Sequence, residues 1–135
     1  YRQRSDIRAF PILSQLFGRE ILPVELVDGR FYHLDTCFCP LSGGELLYYP
    51  AAFDSYGRSV IAERIPSGRR LAVPEMEALK FACNAVCVGK HVVVPAGCPE
   101  TMRWLDGRGY QPHAVPLDEF MKSGGSAKCL TLALD

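Results

Sequence analysis

Apolar positions recur along the chain at two spacings, and the spacing changes wherever turn residues stand. Within "SDIRAFPILSQLFG" (5–18) they fall at helical intervals; Ser5 or Asp6 can cap the start and Gly18 suits the stop. Pro11 fits such a helix only in its first turn. "EILPVELV" (20–27) alternates as a strand, Asp28-Gly29 marks a turn, and "RFYHLDTCF" (30–38) continues extended. After Ser42-Gly43-Gly44, "ELLYY" (45–49) reads as a short strand. Asp54 or Ser55 can then cap a helix through "YGRSVIAERI" (56–65), which Pro66-Ser67-Gly68 ends.

The second half repeats that order. "ACNAVCV" (82–88) and "HVVVP" (91–95) are two apolar strands joined at Gly89-Lys90. Pro99 opens a helix through "ETMRWLDGR", Gly109 closes it, and "QPHAVPL" (111–117) returns as a strand. A short acidic-capped turn, "DEFMKSGG", leads to a last strand, "CLTLALD" (129–135). Superposing "LLYYP" on "HVVVP" sets an offset of 45 residues, and the helices that follow keep it. The expectation is α/β, with a strand–strand–helix–strand unit present twice and partial units on either side. No linker or low-complexity stretch interrupts the chain, so residues 1–135 form a single domain in this reading.

Composition narrows the functions available. Lys plus Arg and Asp plus Glu are both 15, so the net charge is zero, with no basic field for nucleic acid and no polybasic patch for lipid. No apolar run is long enough to span a bilayer, and the start, "YRQRSDIRAF", is charged, unlike a signal peptide. Tyr1 in place of methionine suggests a piece of a longer chain. The six cysteines are too sparse for a disulfide scaffold in a chain that is 48% apolar, so free thiols and a cytoplasmic location are expected.

Candidate chemistry centres on Cys129, which stands beside the glycine-rich stretch "KSGGSA". A thiol acts as a nucleophile only as thiolate or with a base nearby. Of the histidines, His91 and His113 lie in apolar strand patterns and read as structural or surface residues. His33 differs: with Asp35 two positions on, an extended backbone would put both on one face, where a carboxylate can tune the imidazole or hold a cation. Two polar residues facing water would give the same pattern. Zinc is a poor fit, because Cys37 and Cys39 form C-x-C on one strand and Cys83/Cys87 sit in apolar company, so no metal is expected. The glycines at 124 and 125 do not match the order of a phosphate loop. Asn84 could line a cleft, though an ordinary strand residue is the simpler reading.

Two stretches, "FYHLDTCFCPLSGGELLYYPAAFD" and "GGSAKCLTLALD", together resemble the guanidine-modifying pentein superfamily of arginine deiminases, dimethylarginine dimethylaminohydrolases, arginine dihydrolases and amidinotransferases. "RSD" and "PLDEFMKSGG" extend the likeness over nearly the whole chain. The resemblance implies a five-bladed pseudo-symmetric α/β-propeller of ββαβ units, of which this chain is the C-terminal half. It implies Cys129 as nucleophile, His33 as general acid/base and Asp35 as a contact to the substrate guanidinium. The loop with Gly124 and Gly125 would admit substrate and close over it. The implied reaction is cofactor-free hydrolysis of arginine or a derivative through a covalent thiouronium. Amidinotransfer by the same covalent step, or a non-catalytic assembly role, are the alternatives. The family's remaining active-site acids have no counterpart here, so the missing half, another chain or a homo-oligomer would have to complete the pocket.

Overall fold

The computed structural model describes residues 1–134. α1 (Ala9–Phe17) ends at Gly18, whose φ of 60° is the left-handed stop expected of a glycine. Pro11 is its third residue, where the backbone N–H has no intrahelical acceptor to lose.

Two units of the same topology follow. β1 (Phe38–Pro40) and β2 (Leu46–Tyr48) pair antiparallel, Phe38 opposite Tyr48. α2 (Ser55–Arg64) crosses over, and β3 (Arg70–Ala72) returns parallel to β2. Asp54 caps α2 by accepting from the Gly57 N–H at 2.8 Å, as its place before the helix predicts. After the short helix α3 (Glu75–Ala78), β4 (Val86–Val88) and β5 (His91–Pro95) again pair antiparallel. α4 (Pro99–Asp106) starts on its proline, and β6 (Gln111–Val115) runs parallel to β5. α5 (Asp118–Met121) precedes the glycine loop. The repeat expected from the apolar pattern is present as two open three-stranded sheets, β1-β2-β3 and β4-β5-β6.

One apolar core runs through both units. Phe31, Leu46, Leu47, Phe53, Val92, Val94 and Leu105 are fully buried within it, each side chain stabilising the fold by roughly 1.5–3 kcal/mol relative to exposure. All three residues of β2 are buried, because this central strand is covered on both faces. The two hairpin turns lock together at one end. Tyr110 donates its hydroxyl to Glu45 at 2.6 Å and accepts from the Gly43 N–H at 2.9 Å, while the Ser42 hydroxyl donates to the Gly89 carbonyl. The bond from Tyr110, with Arg69 beyond it, holds the Glu45 carboxyl below its usual range.

Three expected strands differ. Residues 20–27 form only an isolated bridge, Leu26 to Phe53. Pro23 has no N–H to give, and the surrounding bonds go to separate segments: Leu26 N–H to Tyr1, Val27 N–H to Ala52. The extended run at 30–38 survives only as Phe38, in β1. The last expected strand is instead a single 3-10 turn, Lys128–Leu130, followed by residues with no ladder partner; Asp135 lies outside the described residues. A strand requires a neighbour to satisfy its backbone, and within the described residues none reaches this segment. β3 supplies the returning strand that the repeat requires after α2, on residues that carried no strand signal of their own, and α3 was not anticipated. No helix of the described residues is long and apolar enough to cross a membrane.

Candidate functional site

The segment carrying His33 and Asp35 is anchored by Phe31, fully buried and packed against Tyr49 and Phe81 with ring centroids 5.0 and 6.1 Å apart. Just before it, Arg30 pairs with Asp28 at 2.6 Å and with Glu75 at 3.1 Å. That guanidinium holds the Asp28 carboxyl below its usual range. Beyond Tyr32 the backbone turns. The Thr36 hydroxyl donates to the His33 carbonyl at 2.6 Å, its N–H donates there at 3.1 Å, and Leu34–Thr36 close a 3-10 turn.

That turn corrects the shared strand face expected for His33 and Asp35. In a 3-10 turn the side-chain repeat is three rather than two, so the pair diverge. His33, exposed at the head of the turn, opens onto a cleft of about 260 Å³ lined also by Tyr1, Arg4, Tyr32 and Leu34. Asp35 lines a second cleft of about 170 Å³ with Phe38, Cys39, Cys87 and Lys128.

The chain nevertheless brings its last thiol to this segment. Cys129 is exposed, and its Sγ lies 4.0 Å from Asp35 Oδ2. Tyr32 connects the other side: its ring packs 4.8 Å from that of His33, and its hydroxyl donates to the Gly124 carbonyl. Gly124 has φ +81°, which lets the loop double back toward Tyr32. Gly125 follows, against the Cys129 side chain. Cys129, Asp35, Gly124 and Gly125 are thus gathered, and His33 is joined to them through Tyr32. Tyr32 and Lys128 carried no sequence signal that singled them out. Asn84 did, as a polar residue in an apolar run, and it is fully buried between the two segments, bonded to both.

All six cysteines are free. Burial pushes the Cys37 thiol up to about 12 and those of Cys39 and Cys98 up to about 11, while Cys83 is raised well above its ordinary value. These four are core atoms in their protonated form. Among the described residues no group of three or more histidine, cysteine or carboxylate side chains converges as a metal site.

The α/β repeat thus presents a free thiol beside a carboxylate, next to a glycine loop. The chain is homologous over nearly its whole length to guanidine-modifying enzymes of the pentein superfamily. Among these, the bifunctional arginine dihydrolase/ornithine cyclodeaminase ArgZ of Synechocystis sp. is 47% identical over 132 residues, 98% of this chain and 19% of that protein. The N-terminal domain of an ArgZ variant, crystallised covalently bound to a reaction intermediate, superposes with a TM-score of 0.94 at 47% identity, over 98% of this chain and 48% of that one. The N(G),N(G)-dimethylarginine dimethylaminohydrolase of Mycobacterium tuberculosis is 36% identical over 134 residues, 99% of this chain and 44% of that protein. The chain therefore spans less than half the length of the curated relatives it matches. No family model matches it.

Proposed function

We propose that the protein is a cysteine-dependent hydrolase of an arginine-like guanidine, and that residues 1–135 are the C-terminal half of its catalytic domain, part of a five-bladed propeller. The observation that carries this reading is the exposed thiol of Cys129 beside the Asp35 carboxylate. Supporting it, the ArgZ domain that matches this chain has been trapped with a covalently bound intermediate. The half-domain reading draws on the share of that domain covered, 48%, and on apolar side chains left in the open: Leu16, Phe17, Leu132 and Leu134. Six free thiols favour a reducing, cytoplasmic compartment.

The chemistry suits these residue types. The guanidinium carbon is flanked by three nitrogens and is resonance-stabilised, so a thiolate attacks it far better than water does. Asp35 holds the cation while the Cys129 sulfur adds to that carbon. His33 donates a proton to the departing amine, the C–N bond breaks, and a covalent thiouronium remains. His33 then takes a proton from water as its oxygen adds, and the C–S bond breaks to release a ureido product and the free thiol. His33 and Asp35 open onto separate clefts here, so the second half of the domain would have to join the two.

Full-length protein should turn over arginine or a methylated arginine and accumulate a Cys129 adduct visible by mass spectrometry after an acid quench. Cys129→Ser should abolish both; turnover that survives the substitution sinks the reading. Transfer to an added amine in place of water would instead give a new guanidine, which separates the amidinotransferase alternative. A Cys129 no more reactive to iodoacetamide than Cys83 would favour a non-catalytic role.

A further inference from the structure

We propose that Asn84 is a positioning residue for the nucleophile, setting the place of the Cys129 sulfur relative to Asp35; the proposal rests on the hydrolase reading above. A single carboxamide holds both segments. Its Oδ1 accepts from the Cys129 N–H at 3.2 Å and from the Ser126 N–H at 3.1 Å, and its Nδ2 donates to the Asp35 carbonyl at 3.1 Å. The Asn84 backbone carbonyl accepts from the Lys128 N–H at 2.9 Å, which adds a third tie to the thiol-bearing segment. Asn84 is fully buried, so its own carboxamide has no water as a substitute for these partners.

The residue types at this position are narrowly limited. Aspartate would keep both acceptor sites but face the Asp35 carbonyl without a proton. Serine is too short to reach across, and alanine would leave two N–H groups, that of Ser126 buried, and a carbonyl without their partner. The support beneath Asn84 is itself unusual. Phe81 adopts φ +57°, rare for a bulky residue, and its carbonyl accepts from the Asn84 N–H at 2.8 Å. Packing of the Phe81 ring on Phe31 ties this turn to the element that bears His33 and Asp35.

Sulfur-to-carbon alignment is sensitive to shifts of about 1 Å, worth roughly 10²-fold in rate. In the full-length protein, Asn84→Asp and Asn84→Ser should therefore lower kcat about 30- to 100-fold with KM changed less than about threefold. They should also alter the pH profile of Cys129 alkylation while leaving that of Cys87 in place. The alkylation arm needs no substrate, so it reports on positioning even if Cys129→Ser shows the hydrolase reading to be wrong. Folded variants with unchanged kcat and an unchanged alkylation profile overturn the proposal. Should neither variant fold, amide exchange in the unsubstituted protein decides: protection of the Cys129 and Ser126 amides supports it, and exchange as fast as in an open loop refutes it.

Discussion

A β-carbon built at Gly124 would lie 2.6 Å from the Tyr32 hydroxyl oxygen, and one at Gly125 would lie 3.1 Å from Cys129 Cβ. The two glycines thus make room for particular neighbours as well as supplying freedom. At Gly124 the left-handed φ of +81° adds a second objection to any side chain. Gly124→Ala should cost about 1–3 kcal/mol locally, freeing the loop from Tyr32. The expected readout is faster proteolysis between 122 and 126 with the global unfolding midpoint nearly unmoved. A cleavage pattern identical to the unsubstituted protein would show that the Tyr32 tether does not organise the loop.

Helix ends decide how well the elements hold together, and one of them is capped from a distance. Glu77, in α3 and only 5% exposed, accepts from the Glu100 N–H at 2.7 Å and from the Thr101 N–H at 2.9 Å. It also accepts from the Thr101 hydroxyl at 2.6 Å. This carboxylate serves the N-terminus of α4, where free N–H groups and the helix dipole favour a negative charge. Glu77→Ala should lower stability by about 2–3 kcal/mol, because it strands buried donors. Asp54→Ala, at the partly solvated cap of α2, should cost only about 1 kcal/mol. Urea unfolding of the full-length protein measures both, and equal losses would contradict the role assigned to Glu77.

Over the whole molecule, the four buried thiols predict how stability responds to alkali. Each is protonated in the fold and raised above the ordinary 9.0, whereas an unfolded cysteine ionises near that value. Above pH 9 the unfolded chain therefore binds fewer protons than the native one, and stability falls as pH rises. Below about pH 8 these groups contribute no slope. The fall approaches about 1.4 kcal/mol per pH unit for each thiol until its folded value is reached. Denaturation in reducing buffer at pH 7.5 and pH 10 should show this decline, and Cys98→Ala should lessen it. A decline of the same size in that variant would assign the alkaline loss to other groups.

What could be read from the residues alone was whatever is decided within a few positions. Asp54 before α2, Pro99 at the head of α4 and Gly18 after α1 each act on their own turn, and the apolar spacing of the two ββαβ units survives because the central strands β2 and β5 bury apolar side chains in the core. The motif around His33 and Cys129 was legible too, but only as a set of residue types. Their relation in space was not, because the turn at 34–36 replaced an extended face and the segment after Cys129 found no strand to pair with among the described residues. Asn84 stood out only as a polar residue in an apolar run; its meaning lies in partners 42 to 49 positions away. Local propensity cannot encode such ties, since they exist only once the core has brought distant backbone together and excluded the water that would otherwise compete for it.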